Sequence, residues 1–220
     1  MVKHLSAIAI MTHHNNDRDH WETIYGSKSP EALSWRQERP EISIELIHRA
    51  ELAFDATILD VGGGASTLVD HLLAQRRYTL AVLDISQSSL VHARKRLGDE
   101  AKRVKWIAAD ITTWKPDISV DFWHDRAVLH FLTQRADQEA YCRALKSALN
   151  SGGWVMIAGF APGGPTECSG LSIVQHDAES LQKLLGDDFI LVERCDESHR
   201  TPSGAKQAFR YHLFRNSEQT

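Results

Sequence analysis

From Ala56 onward the chain alternates short runs of β-branched and apolar residues with longer runs of helical periodicity, and it keeps this up to Phe160. Such alternation marks parallel strands joined by crossover helices, because parallel neighbours cannot be linked by a tight turn. The pattern predicts strands over 56–61, 79–84, 103–108, 119–125 and 153–160, and helices over 66–75, 86–97 and 134–149. In "LNSGGWVMIAGF" (149–160) the paired glycines stop the last of these helices before the fifth strand. Past Phe160 comes the loop "APGGPTECSG", then a helix near 177–185 and strands at 188–195 and 207–215. The segment "DESHRTPSGAK" (196–206) joins those two strands without a crossover helix, so they can pair antiparallel. The expected architecture is α/β: a three-layer, seven-stranded sheet, mostly parallel, ending in an antiparallel hairpin.

The N-terminal part reads differently. Residues 1–19 are polar and unpatterned and are expected to form a disordered tail, with Met11 a possible alternative start. "MVKHLSAIAIM" is too short an apolar run for a secretory segment. Residues 20–54 mix aromatics, a Ser-Pro turn and an amphipathic helix at about 41–53, which predicts a small helical cap on a core of 55–220, the two forming one domain over 20–220.

Composition narrows the partners. A formal net charge of −4 argues against a general nucleic-acid or membrane-surface binder, since both need a basic face. The most basic stretch, "ARKRL" (93–97), falls in a helical pattern and reads as a solvated helix face before a phosphate site. Cys142, Cys168 and Cys195 share no CxxC spacing, and an odd count fits a reducing compartment, so a cytoplasmic location is expected. His13 and His14 lie in the tail without metal-ligand spacing, and no metal site is expected.

The chemistry concentrates in "TILDVGGGASTLVDHLL" (57–73). In a doubly wound sheet, ligands bind beyond the carboxyl ends of the strands, and three acids fall there: Asp60 closes the first strand, Asp84 the second, and Asp110 follows the third. Gly62, Gly63 and Gly64 let the backbone turn tightly beside a ligand. A dinucleotide-binding turn would have its third glycine where Thr67 stands, and a pyrophosphate would be repelled by Asp60. A cation would be attracted. S-adenosylmethionine carries an ammonium and a sulfonium, and Asp84 ends the second strand, where a ribose acid belongs.

These residues resemble the class I S-adenosylmethionine-dependent methyltransferases. "LDVGGGAS" is similar to their first motif, "AVLDIS" to their second and "IAADI" to their third, over roughly 55–160. The resemblance implies a Rossmann-like fold. It further implies Asp84 and Ile85 at the ribose, and Asp110 and Ile111 at the adenine. Ser66 replaces the last glycine of the family's first motif and can cap the following helix. "WHDRAVL" (123–129) resembles, more weakly, the thiopurine and thiol S-methyltransferase branch, which implies that Asp125, and with it Arg126, stands beside the transferred methyl; a helix cap or internal ion pair is the other role open to Asp125.

Trp21 and Tyr25 are four apart, hence on one helical face, and Trp35 follows a turn later. They either cover the cofactor, where aromatic faces suit a cation, or glue the cap to the sheet. Of the twelve histidines, His130, just after the fourth strand, is the preferred candidate base and His199 the second, with Tyr25 a further group able to take a proton; His124, inside the strand, reads as packing. Cys168 overhangs the pocket and reads as a spectator thiol.

The expected activity is in-line methyl transfer to a small-molecule acceptor, with a soft nucleophile such as a thiol favoured because no clear base constellation is present. A protein lysine methyltransferase and a non-catalytic S-adenosylmethionine-binding protein are the alternatives; a nicotinamide dehydrogenase is disfavoured by Asp60, Thr67 and Asp110 together. Pocket specificity is expected to reside in the cap, in 161–172 and in 196–206.

Overall fold

The structure is a computed structural model and describes residues 17–217. Its sheet has seven strands: β1 (Thr57–Val61), β2 (Thr79–Asp84), β3 (Val104–Ala108), β4 (Val120–Arg126), β5 (Leu149–Phe160), β8 (Phe189–Arg200) and β9 (Lys206–Asn216). They lie in the order β3-β2-β1-β4-β5-β9-β8, with β5, β9 and β8 paired antiparallel and the other neighbours parallel. The chain builds outward from β1 to β3 and then returns to β4 on the other side of β1. That reversal opens a crevice beyond the carboxyl ends of β1 and β4.

Because successive strand residues point to opposite faces, the buried strands feed two cores. Ile58 and Phe122 pack with helices α2 (Glu41–Arg49), α3 (Leu68–Gln75) and α4 (Gln87–Leu97) on one face. Leu59 and Trp123 pack with α5 (Arg135–Ala148) and α6 (Ala178–Leu185) on the other. This three-layer arrangement is the one the alternation predicts.

The differences are local. Residues 17–27 form a helix, α1, so residues 17–19 belong to the cap and not to a tail; residues 1–16, with His13, His14 and Met11, lie outside the described residues. Helix α2 stops at Arg49, because the chain then enters positive φ at Glu51 (47°) and again at Asp55 (67°), which a helix cannot continue through. Strand β5 begins at Leu149, four residues early, and absorbs Gly152 at φ 69° where its register with β4 shifts. The last two strands extend toward each other until only 201–205 remains as loop, and a two-residue hairpin, β6 (Glu167–Cys168) with β7 (Leu171–Ser172), forms within the loop after β5.

The cap is held from several sides. Glu22 on α1 accepts the Gln87 N–H at the start of α4 at 2.6 Å. The Thr67 hydroxyl donates to the Gln37 carbonyl at 3.0 Å, and the Gln37 amide donates to Glu197 on β8 at 2.6 Å. Arg126, at the end of β4, donates to the Trp35 carbonyl at 3.1 Å and to Tyr211 Oη at 2.9 Å while its guanidinium lies 4.1 Å above the Phe209 ring. The cap therefore closes over the crevice.

Candidate active site

A cavity of about 380 Å³ lies at the crevice between the sheet and the cap. Strand ends bring Gly62, Asp84, Ile85, Asp110 and Ile111 to its wall. The same cavity is lined by the rings of Trp21, Trp35, Phe131, Phe160 and Phe209, and by Arg126, Cys168, Ser172 and Gln207. A smaller annex of about 50 Å³ adjoins it, shared through Tyr25, Trp35, Gly62 and Arg126 and also lined by Asp60, Gly63, Ser66, Thr67, Arg36 and Gln37.

The three glycines do different things. Gly62 has φ +68°, and a Cβ there would come within 2.1 Å of Val128. Gly63 is needed for close approach, since its Cβ would meet Asp60 Oδ2 at 2.3 Å. Gly64 lines neither cavity. Its N–H donates to Asp84 Oδ2 at 3.1 Å and its Cβ would strike Ser89 Oγ at 2.2 Å, so it supports the acid that lines the cavity and does not itself face a ligand. Ser66 is not the helix cap: the N-cap of α3 is Thr67, which makes no side-chain cap bond, and Ser66 Oγ accepts the Leu68 N–H at 3.1 Å from one residue earlier.

Asp84 is buried, and burial pushes its carboxyl up to about 6 against the N–H groups of Ser86 and Gly64 and the Ser89 hydroxyl, which favour the charged form. Asp110 Oδ1 accepts from the Thr112 N–H and hydroxyl at 2.8 and 2.6 Å, which fixes the turn after β3. The cap aromatics both pack together and line the cavity: Trp21 meets Trp35 edge-on at 5.8 Å and Phe131 at 5.0 Å, and Tyr25 meets Trp35 at 6.3 Å. Burial and the nearby Asp84 carboxylate push the Tyr25 phenol upward, so it stays protonated and is no proton acceptor near neutrality.

Four expected side chains do not stand where the sequence put them. Asp125 points away from the cavity to the α5 side. Its carboxylate accepts the Val128 and Leu129 N–H groups at 2.8 and 3.0 Å and the Tyr141 hydroxyl at 2.7 Å, so it caps the turn after β4. The reason is strand alternation, since Arg126, one residue on, takes the cavity side. His130 lies behind the cavity wall, its ring 4.3 Å from Phe131 and 5.5 Å from Phe160, with neither nitrogen hydrogen-bonded. Burial, with the positive fields of His176 and Arg126, pushes it down to about 3. His199 is in β8, not in a loop, and its Nε2–H donates to the Ser34 carbonyl at 2.7 Å, which anchors the cap. Neither histidine lines the cavity. His124 is more than packing: its Nδ1 lies 2.6 Å from Asp60 Oδ1 and its Nε2 2.9 Å from Ser43 Oγ.

The sequence reading passed over Arg36, whose Nη1 is buried without a partner on the annex wall, and Asp17, Thr133 and Asp137, which line the main cavity. The signal for Arg36 was its place directly after Trp35. Cys168 lines the cavity as a thiol that burial pushes upward. The basic stretch 93–97 holds no free phosphate cradle at Arg96, which pairs with Asp70 at 2.7 Å and donates to the Ser66 carbonyl at 2.6 Å.

Residues 59–155 match the sequence model of a methyltransferase domain family. No curated protein matches the sequence. Among solved structures, one described for the conversion of a disulfide bond into a thioacetal group during echinomycin biosynthesis superposes with a TM-score of 0.70 at 16% identity, covering 91% of each chain. The N-methyltransferase NodS of Bradyrhizobium japonicum WM9, in complex with S-adenosyl-L-homocysteine, gives 0.62 at 18% identity over 83% of this chain and 90% of its own. The 1,6-didemethyltoxoflavin-N1-methyltransferase of Burkholderia thailandensis gives 0.64 at 16% identity over 98% and 90%. At these identities the likeness is one of fold. Residues 59–155 thus match a methyltransferase domain, and the fold around them is the one shared with these structures.

Proposed function

We propose that the enzyme methylates a small molecule that enters the cavity against its aromatic rings and presents a soft nucleophile, a thiol above all, to S-adenosylmethionine held against the strand-end acids. The observation that carries the cofactor placement is a cavity lined both by strand-end acids and glycine and by aromatic rings, adjoined by an annex that Asp60 and Arg36 line. In the annex the unpartnered oxygen Asp60 Oδ2 and the unpartnered donor Arg36 Nη1 are both buried. A buried polar atom without a partner costs about 1–3 kcal/mol, and an amino acid's ammonium and carboxylate would satisfy both. Asp84 would accept from the ribose hydroxyls, and the Asp110–Ile111 turn would meet the adenine. Trp21, Tyr25 and Trp35 would cover the reacting centre and exclude water.

When bound, S-adenosylmethionine supplies a methyl group on a positively charged sulfur. Transfer needs donor and nucleophile aligned in a dry space, which the cap and the aromatic wall offer. An alcohol or ammonium acceptor must also lose a proton. His130 and His199, the expected proton acceptors, are turned away from the cavity, and no histidine stands among its described lining residues. That favours an acceptor that ionises readily by itself. The fold neighbour described by sulfur chemistry is in keeping with this reading, and the two N-methyltransferases define the competing one.

The test is an acceptor panel of thiols, amines, hydroxyls and whole-lysate protein with methyl-labelled S-adenosylmethionine. Label in low-mass thioethers is expected. Label on amines or hydroxyls with thiols ignored removes the soft-acceptor reading, label in a protein band removes the small-molecule reading, and cofactor binding without turnover across the panel makes the chain a binder.

A further inference from the structure

We propose that His124, braced by Ser43, is a positioning residue for the methionine end of the cofactor: it holds Asp60 by one carboxylate oxygen and leaves the other free for the ammonium group. The proposal rests on the cofactor placement given above. Asp60 and His124 are directly opposite in the parallel register of β1 and β4, so their side chains leave the sheet on the same face. That face is otherwise apolar at this depth, with Ile58 and Phe122 next along the same two strands. Ser43 enters from α2, whose other inward positions are Ile44, Leu46 and Ile47. Three polar side chains, exposed by 1% (Ser43), 3% (His124) and 4% (Asp60), thus form one chain inside an apolar layer.

Hydrogen-bond inventory fixes the direction of that chain. A carboxylate only accepts, so His124 Nδ1 carries a proton and donates to Asp60 Oδ1; in the neutral ring Nε2 then accepts the Ser43 hydroxyl proton. Each link is satisfied except the last. Asp60 Oδ2 has no partner although it is buried, and it faces the loop so closely that only a glycine fits at 63. A strand histidine that did nothing but fill space would be replaced by an apolar side chain at lower cost, since buried polar groups destabilise unless paired. Here the imidazole fixes the carboxylate rotamer and keeps Oδ2 at the annex, which Arg36, with its unpartnered Nη1, also lines.

Calorimetric titration with two probes tests this. S-adenosylhomocysteine carries the ammonium; 5′-methylthioadenosine has the same nucleoside and thioether without the amino-acid end. His124→Ala is expected to weaken S-adenosylhomocysteine roughly tenfold or more and to leave methylthioadenosine unchanged. His124→Asn, whose amide nitrogen can stand in for Nδ1, should restore binding to within about threefold, and Ser43→Ala should weaken only the first probe, by about two- to fivefold. Equal loss for both probes, or no loss for either, in Ser43→Ala and in every folded His124 variant overturns the proposal. Wild-type protein that binds neither probe would remove the cofactor placement itself, a result distinct from the variant pattern.

Discussion

His130 offers a sharp test of how burial sets chemistry here. Its imidazole is 2% exposed and both nitrogens lack partners, so protonation in the folded protein would place a charge in an apolar wall. The ring titrates near 3 in the fold against 6.5 in an open chain. A base whose folded value is depressed contributes stability that is complete above the unfolded value and lost as pH falls below it. Each tenfold rise in proton concentration below 6.5 costs about 1.4 kcal/mol, so this one side chain removes about 2 kcal/mol of stability by pH 5. His130→Leu has no such proton to take up. Urea unfolding of both proteins at pH 7.5 and pH 5 should therefore show wild type losing about 2 kcal/mol more than the variant over that interval. Asp84, Asp125 and His212 are present in both and cancel in the comparison. Methyl transfer at pH 7.5 should survive in the variant, because the ring does not line the cavity. Equal acid losses would refute the burial argument, and abolished turnover in a folded variant would return His130 to the chemistry.

Asp84→Ala should weaken S-adenosylhomocysteine by about 1–3 kcal/mol in calorimetry, through loss of a charged acceptor. Because burial holds the Asp84 carboxyl at about 6, wild-type affinity should fall as pH drops through that value and the carboxylate is neutralised. Asp125→Ala should instead lower unfolding free energy by about 1–3 kcal/mol while the folded fraction keeps its S-adenosylhomocysteine affinity, since this carboxylate serves Val128, Leu129 and Tyr141.

The role of Asp125 marks where sequence reading runs out. Alternation of apolar runs placed the five parallel strands and their helices within a few residues, because a strand buried on both faces leaves a short continuous apolar run and an amphipathic helix leaves a 3.6-residue period. The acids at strand ends and the glycine turn were legible for the same reason: their positions follow from where the strands end. Period alone does not say which face of β4 opens onto the cavity. Asp125 and Arg126 differ by one position, and only the packing of β4 between β1 and β5, under the cap, sends the second to the site and the first to α5.

The cap and the C-terminal hairpin were the least legible parts. Their contacts join residues far apart in sequence: Gln37 with Glu197, His199 with Ser34, Arg126 with Trp35. No local propensity encodes such pairs, so His199 read as a loop residue near chemistry and Arg36 was not singled out. The sequence by itself determined the strands, the helices between them and the acids at the strand ends, since each depends on local periodicity or turn chemistry. Tertiary structure decided which of those side chains face the cavity and which hold the cap down, because that depends on what packs against each face; it turned His124 from a buried strand residue into the brace behind Asp60.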